Sequence, residues 1–238
     1  MNQGRICGYI NAGCLLFMPA QCTEQQKKDV SDITLYTQLA ANKKYSPFAD
    51  PERWRFTWLA ALSRFGWPQR RHETLSLPAR DLAVDTVWGW VGSRLPSFVP
   101  AALLVQCQAL TNLSVGTFPD QPAVEMLARR VVGPLGAGAQ PTENTHCDVR
   151  LKLAIYTPTL GLNLVILCFK TRQRLGGDFL VEVLEPSDVI GNIDMTFYVV
   201  FPQELIYAQF REKLSHALVD RRADNLGTLR EVTHESAV

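Results

Sequence analysis

The sequence predicts an α+β fold: an N-terminal helical bundle followed by a four-stranded, mainly antiparallel sheet that a C-terminal helix covers. Three observations predict it. Residues 148–156 alternate strictly, with Val149, Leu151, Leu153 and Ile155 on one side and Asp148, Arg150, Lys152 and Ala154 on the other, the pattern of a half-buried strand. Apolar residues between 29 and 132 recur instead at intervals of three and four, the helical period. Beyond Pro202, the residues Ile206, Phe210, Leu214, Ala217 and Leu218 form one helical stripe.

In chain order, residues 1–22 read as an N-terminal extension. Arg5 and the apolar Cys14-Leu15-Leu16-Phe17-Met18 have the outline of a secretion signal, but the apolar core is short and is interrupted by Asn11 and two glycines. Gln21 before Cys22 is not the small residue that lipoprotein processing requires. A poorly ordered extension or a misplaced start is the preferred reading.

Residues 23–132 form the helical region. A first helix over 29–42, capped by Asp29 or Ser31, places Ile33, Tyr36, Leu39 and Ala40 on one face and ends at Tyr45-Ser46-Pro47. Asp50-Pro51-Glu52 supplies a cap, a proline at the first helical position and an acid in the first turn, so a second helix starts there. Trp54, Trp58 and Leu62 share its face and Gly66 stops it, giving a helical hairpin with an aromatic seam. The basic run Gln69-Arg70-Arg71-His72 leads into a short extended piece over 73–77. A third helix over 81–95, with Asp81 as cap, carries Gly89 and Gly92. Ser97 caps a fourth that is apolar nearly all round, and a fifth covers 121–132.

Residues 133–146, rich in glycine and proline, read as a linker, and 147–238 as the sheet with its helix. The almost wholly apolar run 162–169 predicts a central strand covered on both faces. Residues 179–184 and 195–200 supply strands three and four, each bounded by turn formers, and Pro202-Gln203-Glu204 opens the last helix.

At 238 residues, 47% hydrophobic and 20% charged, the composition is that of a globular protein, and a formal charge of +1 provides no global field toward nucleic acid or an anionic membrane. A nucleic-acid interface would need Arg70, Arg71, Arg129, Arg130, Arg221 and Arg222 on one face, and ranks last among partners. No run reaches the about 18–20 apolar residues of a transmembrane span. The expected location is cytoplasmic, or secreted without a convincing signal peptide. Six cysteines without a CxxC spacing support neither a disulfide framework nor a zinc site, and Cys107 and Cys168 read as inert core thiols.

The sequence contains no GxxxxGK[ST] loop, no HExxH and no GxSxG elbow. The glycines at 133, 136 and 138 follow a helix rather than a strand and are discounted as a dinucleotide fingerprint. Four histidines lack metal-ligand spacing, so neither metal nor cofactor is expected. The catalytic candidates are His146 beside Cys147, with His72 as an alternative base. Adjacent residues at the head of a strand point to opposite faces, which weighs against the first pairing. Asp178, Glu182, Glu185, Asp188 and Asp194 read as solvated strand ends. The binding candidates are Trp54, Trp58, Trp67, Arg70 and Arg71. Core packing is the preferred role for the tryptophans over a carbohydrate or base-stacking platform, and a solvated turn for the arginines.

Residues 35–45 (LYTQLAANKKY), Trp54 through Gly66-Trp67, the glycine-rich middle, the long paired strands and the helix after Pro202 together resemble a family of uncharacterised bacterial proteins from plant- or insect-associated genera such as Pseudomonas. The resemblance spans most of the chain after residue 30. It carries no established activity and assigns no residues; it implies a protein that interacts with a host or a competitor. The expected function is therefore that of a non-enzymatic binding or effector-like, toxin-like protein acting on a macromolecular partner or a membrane surface. The alternative is a hydrolase with a Cys/His or carboxylate site.

Overall fold

The start expected for the second helix is observed, whereas the first begins five residues earlier than expected, with Asp29 and Ser31 inside it. In the computed structural model, which describes residues 5–82, 84–118, 120–133 and 146–229, Thr23 and Gln26 close a reciprocal capping box that opens α1 (Glu24–Asn42). Asp50 accepts from the Arg53 N–H and Pro51 takes the first helical position of α2 (Pro51–Arg64). Gly66, at φ 79°, ends that helix in a conformation an L side chain resists, and an added Cβ would lie 3.0 Å from Ile206 and from the Tyr207 nitrogen. Thr86, not Asp81, caps the shorter α3 (Val87–Arg94). Next come α4 (Ala101–Thr117) and α5 (Pro122–Val131), and α6 (Glu204–Ala217) follows the last long strand.

The expected arrangement of these elements is overturned. The chain forms neither a separate N-terminal bundle nor a four-stranded antiparallel sheet. It forms one seven-stranded mixed sheet, and among the described residues six α-helices flank it. The strands are β1 (Ile6–Asn11), β2 (Cys14–Pro19), β3 (Gln69–Pro78), β4 (Cys147–Thr157), β5 (Gly161–Thr171), β6 (Val189–Val200) and β7 (Leu226–Thr228), in the spatial order β3-β6-β5-β4-β2-β1-β7. All neighbours pair antiparallel except β2 and β4, which run parallel, with Cys14 opposite Lys152 and Phe17 opposite Ile155.

The physical reason for the difference lies in β2. Its six residues are all buried because the sheet is covered on both faces. Leu15 and Phe17 pack with α3, α4 and α5, whereas Cys14, Leu16 and Met18 pack with α1, α2 and α6. An interior strand covered twice reads as a continuous apolar run, and so does the core of a secretion signal. The β4 alternation is likewise between two covered faces: Val149, Leu151, Leu153 and Ile155 face one helical layer, and Ala154 and Tyr156 the other. The interior position expected for residues 162–169 is observed, since β5 lies between β6 and β4.

Residues 179–184, expected as a strand, form hydrogen-bonded turns, with the Val181 and Glu182 amides donating to the Asp178 carbonyl. Only Val183 makes a bridge, to Thr86. The buried Phe179, Leu180 and Leu184 instead plug the layer beside α3. Of the expected linker, residues 134–145 lie outside the described residues.

Candidate functional site

The first half of β4 extends past the tip of the β1–β2 hairpin, because β2 begins only opposite Lys152. On the α2 face, this part of the sheet carries Arg150 and Lys152 from β4, Ile166 and Cys168 from β5, Asp194 and Thr196 from β6, and Thr74 from β3. The N-terminal turn of α2 and Pro47 roof it only in part. A cavity of about 250 Å³ remains between roof and sheet. It continues outward as a shallower groove of about 300 Å³ that shares Arg150, Cys168 and Asp194. The β5–β6 register shifts between Cys168 and Lys170, at the point where Gly191 adopts φ 73°. Such bulges re-aim side chains beside functional sites.

Lys152 forms the floor of this cavity and is 7% exposed. Its ammonium lies 4.9 Å from the Trp54 ring centre, above the π face. Gly13 in the hairpin turn permits this placement, since a Cβ there would come within 3.1 Å of Nζ. Among the described residues, no carboxylate pairs with Lys152 and no acceptor hydrogen-bonds it. Desolvation by burial holds its amine below the ordinary lysine value.

Arg150 grips Asp148 through Nη2 at 3.1 Å. Its Nε lies 3.0 Å from the other carboxylate oxygen, but the N–H is not directed at that oxygen and remains a buried donor without an acceptor. The Arg150 side chain also lies beside the Cys168 thiol. Burial pushes the Cys168 thiol up, with Arg150 pulling the other way, and the thiol is half-buried and free. Glu52 and Asp194 are exposed at the mouth. The Arg55 guanidinium lies beside the Tyr198 side chain on β6. The result is a cavity with apolar walls of Trp54, Ile166 and two prolines, a buried cation at its base and carboxylates at its rim.

Among the binding candidates, Trp54, Trp58 and Trp67 are buried at the helix–sheet interface. Trp54 stacks on Trp58 at 5.8 Å, and Trp67 meets Tyr207 edge-on. Trp54 alone reaches the cavity, and its indole N–H donates to Asn42 at 2.6 Å. Arg70 and Arg71 are exposed on the edge strand β3; Arg71 stacks over Phe98 and pairs with Glu73 at 2.5 Å. At the other end of the sheet, Arg130 bonds the Asp224 carbonyl and Arg222 is committed to Asp32 at 2.8 Å. Six strand spacings, about 29 Å, separate the two edges.

The catalytic candidates are also dispersed. Cys147 is buried, and strand alternation puts it on the α3–α5 side with Val149, whereas His72 stacks on Tyr198 at 5.1 Å on the α2 side. His146 is exposed just before β4. Among the described residues, no group of three His, Cys, Asp or Glu side chains could hold a metal ion, and no helix is long and apolar enough to cross a membrane.

Sequence reasoning missed Lys152 because Asp148, Arg150 and Lys152 look like the solvated side of a strand. One signal was present: Ala154 and Tyr156 share that side, and the neighbouring strand is apolar on both. No family model matches the chain and no curated protein matches it, so the site is read from its own residues.

Proposed function

We propose that the protein is a non-enzymatic binding protein that holds a small organic anion in the cavity beneath α2. The observation that carries this reading is Lys152, a buried ammonium at the base of a cavity with no anion to meet it. Burying an unpaired charge costs several kcal/mol, and a cation–π contact offsets about 1–2 of them. A carboxylate entering the cavity would complete the pair, with the Arg150 guanidinium on the same wall as a second cation. The volume lies below the roughly 300 Å³ at which drug-sized pockets begin, which favours a metabolite-sized ligand. Trp54 and Ile166 favour a planar or apolar body behind the charged end.

The enzymatic alternative lacks a matched pair of groups in this cavity. Its thiol is pushed up rather than down, so a thiolate nucleophile is disfavoured at neutral pH. Isothermal titration with a panel of small carboxylates tests the binding reading. The expected result is saturable binding by at least one aromatic or branched carboxylate, with Lys152→Met weakening it at least about 100-fold. Equal affinities of wild type and the Met variant across the panel would remove the assignment.

A further inference from the structure

A second feature lies on the outer side of α2, facing away from the cavity. The helices α1, α2 and α6 leave between them a trough of about 570 Å³. Its floor is aromatic and fixed: Phe65 meets Tyr36 edge-on at 5.2 Å and Phe210 edge-on at 5.2 Å. Small side chains, Ala40, Ala60, Ala61 and Ala217, line its walls, so a third backbone can approach closely. Phe56 is 75% exposed on its rim, a large apolar side chain with no burial of its own to explain it.

The charge around the trough has one sign. Lys44, Arg64 and Lys213 line it and no carboxylate does. None of the three has an ion-pair partner among the described residues. Lys44 and Arg64 sit at the C-terminal ends of α1 and α2, where cations also answer the helix dipole. Lys213 lies within α6 and has no such role.

We propose that this trough docks an acidic amphipathic helix of a partner protein. An apolar i, i+3, i+4, i+7 stripe would lie on Phe65 and Phe210 against the alanine walls, with Phe56 folding over its side. Asp or Glu flanking the stripe would meet Lys44, Arg64 and Lys213, and steer encounter. The concave floor favours a helix over a lipid surface. This inference is independent of the cavity beneath α2, because Lys44, Arg64, Lys213 and Phe56 do not line that cavity.

The test uses the full chain and a fluorescein-labelled helical peptide of about 16 residues with leucines at the stripe positions and glutamates flanking them. Anisotropy should show saturable binding that weakens as salt is raised. Phe56→Ala should weaken it about tenfold, and the double reversal Lys44→Glu with Lys213→Glu should abolish it. A peptide with lysines in place of the glutamates should bind the reversed variant, a rescue that mere unfolding could not produce. Phe56 is exposed, so its variant folds regardless. Equal binding of acidic and basic peptides to wild type would overturn the proposal. So would flotation with phosphatidylserine vesicles that the double reversal abolishes while the acidic peptide neither binds nor competes, because the trough would then be serving a membrane.

Discussion

The ammonium of Lys152 is held in the fold at a cost, and its titration makes that cost measurable. A lysine whose folded value is depressed binds fewer protons in the folded than in the unfolded chain at pH between the two values, so stability rises with pH across that window. Below the folded value the penalty is fully present; above the ordinary lysine value it is gone. Lys152→Met, close in shape and free of charge, should therefore stabilise the protein at neutral pH by about 1–3 kcal/mol. That advantage should shrink as pH is raised toward the ordinary lysine value. Urea midpoints of both proteins from neutral to alkaline pH check this, and a variant that is less stable at pH 7 would contradict it. Loss of ligand binding together with a gain in stability is the signature of a residue kept for function. Asp32 provides the contrast: it is equally buried but fully met, by Lys28 at 2.6 Å and by Arg222 at 2.8 Å. Asp32→Ala strands two cations on the α1–α6 side and should cost on the order of 2 kcal/mol in the same assay, with the ligand titration unchanged.

At the scale of elements, β2 decides the architecture. Phe17 is fully buried, pairs with Ile155 across the parallel junction and meets the Trp88 ring edge-on at 5.7 Å. Phe17→Ala should cost about 3–5 kcal/mol, a large part of the about 5–15 kcal/mol that holds a domain together. A denaturation midpoint unchanged by this substitution would show that β2 does not form the inner strand. The edge strands behave differently. β3 is exposed along most of its length and carries Arg70, Arg71 and Glu73, which discourage edge-to-edge association. The helices were the elements most legible in the sequence, because Asp50-Pro51 and the stripe after Pro202 act through neighbours three or four residues away. Residues 179–184 misled for the converse reason: Phe179, Leu180 and Leu184 are apolar because they are buried, and burial alone does not distinguish a strand from a turn.

At the scale of the whole molecule, one sheet takes strands from both ends of the chain, and the parallel β2–β4 ladder joins residues more than a hundred positions apart. All five tryptophans lie between residues 54 and 90, whereas β4, β5 and β6, the core of the sheet, lie beyond residue 146. Thermal unfolding followed by tryptophan fluorescence and by far-UV circular dichroism should therefore superimpose in a single transition. Two separated transitions would mean that the helical region and the sheet fold as independent units.

The sequence by itself determined the α+β class, the starts of α2 and α6, and the strands β4, β5 and β6, since capping residues, turn residues and side-chain periods are local properties. Only the tertiary structure decided that residues 6–19 supply inner strands, that the sheet is covered on both faces, and that Lys152 is buried. Strand neighbours are chosen by hydrogen bonds between distant segments, which leave no mark on the local pattern. The side of a strand that looks solvated becomes a cavity floor only when a helix from elsewhere in the chain is laid over it.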